Sequence, residues 1–402
     1  DSALSFKALT LNNKVLTLDG QAGSFALTDE LKLNNANGRI VQDSTSLKLN
    51  GGLSVDSGGV LRLTKSLDTG TAKIKLNGGL LAIDSDITIN SSIEHLAAST
   101  IEIKETKTLN YEGMTLKLGA SVLSIKGGGS FTNTNPIELD NAASQLKLSG
   151  ISANYVRTSA DSLGLIVETS SSVNEMVVGH LIPVSISANQ NLSGIIEVFS
   201  NGNLQLNNSG TLAANVTMKG DAFGNETAGG KLEAKESLTF SGTLLQSADH
   251  NGIELIIASG KTLSYSGSKF GIGNHEFKLS GGGTLANTND LELDNAGSKL
   301  TLSKSTKISR LSTSGSGASR VLTITDSEVD FTGNIVENLL LSGNLSVTSD
   351  TAIALGNLTA DAVLTLSSNM DVSSAELTLS DSAELSLGTA NITAYVTNPV
   401  IV

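Results

Sequence analysis

Cysteine and tryptophan are absent from the 402 residues, prolines number three, and aromatic residues make up only 3%. Lack of cysteine excludes disulfides, thiolate metal ligands and thiol nucleophiles, so cohesion rests on packing and hydrogen bonding. Scarce aromatic rings leave few platforms on which sugars or bases could stack. No run reaches the ~18 apolar residues of a membrane-spanning helix. The opening DSALSFKALTL has no basic segment followed by an apolar one, which fits a mature chain after signal removal or a cut piece of something longer. Charge is sparse too. Only 16% of residues are charged, and the formal net charge of −13 argues against nucleic-acid and anionic-membrane partners and favours solubility.

What is abundant is glycine, 41 residues, with serine, threonine and asparagine, around short apolar-x-apolar beats. LTL begins at Leu16, LKL at Leu31, LKL at Leu47, LRL at Leu61, IKL at Ile74, ITI at Ile87, IEI at Ile101 and LKL at Leu116. Alternation with period 2 places both apolar residues on one face of a short strand and the middle residue on the other. NNANG, NGG, DSGG, DTG and KGGG separate the beats and supply corners. Helical spacing of apolar residues is sustained nowhere, so helix is expected to be nearly absent.

The beats belong to a repeat. Gly127–Ser149 returns as Gly281–Ser303, with 15 of 23 positions identical at an offset of 281 − 127 = 154. KTLNYEG at Lys107 returns as KTLSYSG at Lys261 with the same offset, whereas GGLLAIDSDITINSSI at Gly78 resembles GGKLEAKESLTFSGTL at Gly229 with an offset of 151. A three-residue insertion therefore separates the two blocks. L-x-L-N-N at Leu9 returns at Leu31, an offset of 31 − 9 = 22, and 154 is seven times 22. These spacings predict an all-β parallel β-helix, or β-solenoid, over residues 1–402 as a single domain. Each coil of the stack is expected to hold about 22 residues in about three short strands. The internal duplication relates about 78–150 to about 229–304, with less regular stretches near 154–200 and 312–320. The full length corresponds to roughly 18 coils, a rod on the order of 85 Å at the ~4.8 Å spacing of neighbouring strands. GGG, Asn-Thr-Asn and Asp-Asn-Ala are expected at the three corners of one coil.

Candidate chemistry is thin. L-x-L-[ND]-N or its isoleucine variant occurs at Leu9–Asn13, Leu31–Asn35, Ile137–Asn141, Leu204–Asn208 and Leu291–Asn295, and reads as Asn/Asp corners with stacked side chains. Glu138 with Asp140, and Glu292 with Asp294, place two carboxylates close together but are expected to be solvated surface acids, since no calcium-repeat pattern surrounds them. His95, His180, His250 and His275 lack metal-ligand spacing and are expected in loops or on the surface. The GGG runs lack the lysine and helix of a phosphate loop, and the Thr-Asn-Thr-Asn piece at Thr132 lacks the coil-by-coil T-x-T of an ice-binding ladder. No catalytic, cofactor-binding or metal residue is assigned, and no cofactor is expected.

Short L-x-L beats, NNxG and GGG corners, Ser/Thr/Asn richness and lack of cysteine resemble the β-helical passenger and filamentous adhesin-like repeat regions of bacterial surface proteins. That resemblance implies an exported, secreted or cell-surface structural protein, not an enzyme, displayed as a rod, stalk, adhesin, fibre or surface-layer subunit. No C-terminal membrane-barrel pattern follows. Strand-like segments at both ends, the second closing in the apolar Val400–Val402, point to head-to-tail or lateral self-association, with host or cell-surface glycans or proteins as further partners. The alternative is a β-helical polysaccharide lyase or hydrolase, against which the missing tryptophan and scattered acids weigh.

Overall fold

The computed structural model describes residues 46–313 apart from 208, 221–228, 248–251, 296 and 304–305, together with separate strands and short turns between 4 and 42 and between 321 and 393. It is an all-β parallel solenoid of about 11 coils with about 22 residues in each, and the described residues contain no helix. The chain forms two compact units, Asp1–Ile196 and Glu197–Val402. Strands are short because apolar-x-apolar beats are short, and every strand-to-strand pairing among the described residues is parallel. Val60–Leu63 pairs with Leu80–Ile83, which pairs with Ser99–Ile103, then Val122–Lys126, then Gln145–Ser149.

Parallel stacking in register lines up the inward residues into columns. In the first unit Leu61, Leu81, Ile101, Ile125, Leu148, Val167 and Ile186 occupy successive coils of one column, all essentially sealed from solvent. The second unit has Leu204, Leu232, Leu255, Leu279 and Leu302 in the corresponding column. Burying each such side chain stabilises the fold by about 1.5–3 kcal/mol. Outward neighbours in these strands are mostly polar, for example Arg62, whose guanidinium holds the Asp84 carboxylate of the next coil at 2.6 Å.

The columns also locate the length change between the duplicated blocks. Leu81 corresponds to Leu232 with an offset of 232 − 81 = 151, and Ile101 to Leu255 with 255 − 101 = 154. Ile93, which starts the strand before Ile101, corresponds to Leu244 at 244 − 93 = 151, so the three extra residues fall between Leu244 and Leu255.

Coil construction is not uniform: the expected arrangement of about three short strands per coil is seen in some coils and not in others. Residues 130–149 make three strands, Ser130–Asn133, Ile137–Leu139 and Gln145–Ser149. The next strand, Ser152–Thr158, is one seven-residue piece that pairs with both Ser130–Asn133 and Ile137–Leu139. From there coils carry two longer strands, Ser152–Thr158 with Gly164–Thr169 and Ser171–Val178 with Leu181–Ile186. The less regular stretch near 154–200 thus folds into longer strands. Pro183 lies within one of them, opposite Gly164, where a Cβ would come within 1.9 Å of the Pro183 carbonyl oxygen. The second unit repeats the fusion: Lys307–Thr313 pairs with both Thr284–Asn287 and Leu291–Leu293. Of the other irregular stretch, residues 314–320 lie outside the described residues.

Leu293 is 1% exposed, and truncation would leave a cavity that the flanking coils cannot collapse into without losing register. Leu293→Ala is expected to destabilise the protein by roughly 2–5 kcal/mol, read as a lowered denaturant midpoint at unchanged slope.

Candidate functional site: the duplicated corners

The residues that return at the 154 offset are concentrated at corners, and most of them do the same job twice. Gly127 and Gly128 adopt φ of 114° and 84°, Gly281 and Gly282 φ of 107° and 81°. A Cβ at Gly127 would lie 2.3 Å from the Ile103 carbonyl oxygen of the preceding coil, and one at Gly281 would lie 2.3 Å from that of Ile257. Left-handed backbone and a carbonyl pressing from the neighbouring coil both demand glycine. The pair of glycines is a device for stacking one coil on the next.

Tyr111 and Tyr265 are buried, and each hydroxyl bridges two coils. Tyr111 Oη donates to Met114 O at 2.7 Å and accepts from Ile93 N at 3.0 Å; Tyr265 Oη donates to Ser268 O at 2.7 Å and accepts from Leu244 N at 3.2 Å. The ring lies over the glycine two residues on, so a Cβ at Gly113 or Gly267 would meet Tyr Cε2 at 2.6 and 2.7 Å. Burial raises both phenol pKa values, opposed by the hydrogen bonds the oxygens accept.

Asn133 and Asn287 solve the problem created by strand fusion. Tyr155 faces the gap between Asn133 and Ile137, where no backbone partner runs. The Asn133 side chain takes that place: Oδ1 accepts from Tyr155 N at 3.1 Å, while Nδ2 donates to Tyr155 O at 2.7 Å and to Asn135 O at 2.7 Å. In the second unit Asn287 binds Arg310 N at 3.2 Å, Arg310 O at 2.6 Å and Asn289 O at 2.9 Å. The second asparagine of each Asn-Thr-Asn reaches back one coil, Asn135 to Gly113 O at 2.9 Å and Asn289 to Gly267 O at 2.7 Å. A primary amide offers donor and acceptor side by side, as a peptide group does.

The third corner is built by Asp-Asn-Ala-x-Ser. Asp140 Oδ1 accepts from Gly119 N at 2.8 Å, and Asp294 Oδ1 from Gly273 N at 2.7 Å. Asn141 accepts from Ala143 N, closing an Asx turn. The fully buried Ser144 accepts from Asn141 N at 3.0 Å and donates to Gly119 O at 2.6 Å; Ser298 does likewise with Asn295 N at 2.9 Å and Gly273 O at 2.6 Å.

Glu138 and Glu292 are not solvated acids: they are 4% and 7% exposed. Glu138 is covered because register places it between two cations, Lys117 on one coil and Arg157 on the next. Arg157 lies 2.7 Å and Lys117 3.8 Å from its carboxylate. Burial pushes its pKa up, but hydrogen bonds from Ser159 and Arg157 and the two positive charges outweigh this, leaving it below the usual carboxylate range. That is opposite to what a general acid requires. Glu292 lies between Gly271 and Ser312 and is met instead by Lys269 at 2.5 Å.

The histidines separate likewise. His95 is buried, opposite Leu76 in the interior of a strand, against the expectation of a loop or surface position. Its Nδ1 is 2.9 Å from Leu118 O; since a carbonyl can only accept, Nδ1 carries the proton. His180 is half exposed, 3.9 Å from Asp161, His275 lies in a turn, and His250 is outside the described residues. No group of three metal-ligating side chains occurs among the described residues.

The five L-x-L-[ND]-N copies do not form one column. Those at Leu9 and Leu31 are in register with each other, Leu11 against Leu33, whereas Leu204 belongs to the sheet containing Lys231–Ala234 and Ile137 and Leu291 to strands in the fused region. The sequence singled out the duplicated stretch but not Tyr111, Ser144 or the Asn133 amide within it. Their signal is identity between the two copies in positions that no strand pattern requires. No protein-family model matches the chain, and no curated protein aligns with it.

Asn133→Ala and Asn287→Ala are each expected to cost about 2 kcal/mol or more in chemical denaturation, since each orphans a buried N–H and C=O, whereas the exposed Asn141→Ala should cost less. His95 makes stability pH-dependent. Burial lowers its folded pKa below 6.5, against two backbone hydrogen bonds that raise it, so below about pH 6.5 the unfolded chain binds a proton that the folded one refuses. Thermal stability should fall as pH drops through 6.5, and His95→Asn should flatten that limb while leaving the acid limb below the carboxylate range.

Proposed function

We propose that this chain is an extracellular structural solenoid, a rod, stalk, fibre or surface-layer subunit that associates head-to-tail through its terminal coils. One observation carries this reading. Within the duplicated block, polar corner residues that a binding or catalytic site could use are engaged instead in bonds between one coil and the next: Asn133, Asn135, Asp140 and Ser144, and again Asn287, Asn289, Asp294 and Ser298. Copying such a block lengthens an object without multiplying an activity. In this reading 402 residues at about 22 per coil make roughly 18 coils, most with three short strands.

An acidic, cysteine-free exterior suits a secreted, cell-surface setting. Terminal coils of a solenoid expose strand edges that another copy can pair with, and cell-surface glycans or proteins are further candidate partners. The segment Tyr395–Val402, which lies outside the described residues, is the proposed edge donor. Removing Tyr395–Val402 is expected to shift the protein from assemblies toward single particles in light scattering and negative-stain microscopy, and unchanged assembly would reject the head-to-tail mode.

A further inference from the structure

We propose that Asn50 is a site of spontaneous covalent modification, and that Ser99 shields the otherwise equivalent Asn77. The chemistry belongs to Asn-Gly pairs. The glycine's backbone nitrogen attacks the asparagine Cγ, a new C–N bond forms as the Cγ–NH2 bond breaks, and the amine departs as ammonia. Water then opens the cyclic imide at either carbonyl, leaving aspartate or isoaspartate. The attacking nitrogen must give up its proton, so an N–H already donated to a fixed acceptor reacts only when the backbone opens locally.

Five Asn-Gly pairs occur in the chain, at Asn37, Asn50, Asn77, Asn201 and Asn251, and all but the first and last lie wholly within the described residues. Two of these three are protected. Gly78 N–H donates to Ser99 Oγ at 2.9 Å, Ser99 itself being anchored on Ala97 O at 2.7 Å, and the Asn77 amide is held by Asp56 Oδ1 at 2.9 Å. Gly202 N–H donates to Phe199 O at 2.7 Å. Gly51 differs: its N–H has no acceptor among the described residues, and the Asn50 side chain is exposed.

The consequence is local and structural. Gly51 presses on the coil below, where a Cβ would lie 2.2 Å from the Asp29 carbonyl carbon. Isoaspartate at position 50 lengthens the main chain by one bond next to that contact and adds a negative charge, which strains the packing of the two coils.

Peptide mapping by mass spectrometry of the full chain, aged in mildly alkaline buffer with and without denaturing urea, tests the proposal. In the folded protein Asn50 is expected to convert on the order of tenfold faster than Asn77 or Asn201, a ratio set by local opening; in urea the three rates should converge. Ser99→Ala should raise the Asn77 rate toward that of Asn50 without changing Asn50 itself. Equal rates in the folded protein, a lead of Asn50 that persists in urea, or an Asn77 rate indifferent to Ser99→Ala while Asn50 still leads would each overturn it. Assembly by microscopy is read separately and does not enter this outcome.

Discussion

Most strands here hydrogen-bond to the coil before and the coil after them, and almost every other feature depends on keeping that register. A parallel stack brings equivalent positions of successive coils within ~5 Å of each other. A side chain therefore meets residues a full coil away as well as its sequence neighbours. An apolar column must stay apolar, as from Leu61 to Ile186. A charged column must alternate, as in Lys117, Glu138 and Arg157, because like charges at that spacing repel. A corner where the next carbonyl intrudes must be glycine, as at Gly127.

Register also constrains coil length. Successive members of the first unit's column are separated by 125 − 101 = 24 in one coil and by 186 − 167 = 19 in another. Shortening is achieved by deleting a corner and fusing two strands, which leaves one residue of the fused strand opposite a gap. An asparagine amide fills the gap, Asn133 for Tyr155 and Asn287 for Arg310. The device recurs with nearly the same bonds in both units, although Tyr155 and Arg310 have nothing else in common. What the site recognises is a peptide group of its own chain.

The same logic explains which carboxylates became buried. By strand alternation Glu138 points away from the aliphatic column, and in an isolated strand it would be solvated. Its shielding comes from Arg157 on the coil after it and Lys117 on the coil before it. The duplicated copy keeps the glutamate but recruits Lys269, two residues before the position that register alone would choose. Net burial is the same in the two units while the partner is not.

Strand, corner and repeat were legible in the sequence because they depend on local facts: period-2 alternation, glycine-rich breaks and a block that returns at a fixed offset. Those facts determined an all-β solenoid with an aliphatic interior and about 22 residues per coil. Only the tertiary structure decided that the segment after Asn154 fuses into long strands, that His95 and Glu138 are buried, and that Asn133, Ser144 and Tyr111 hold one coil to the next. The physical reason is that a column is assembled from residues one coil apart, and a shift of one residue in register exchanges the inward and outward sets. Local pattern sets which residues can face inward; the partner each of them finds is set by how many residues the intervening corner contains.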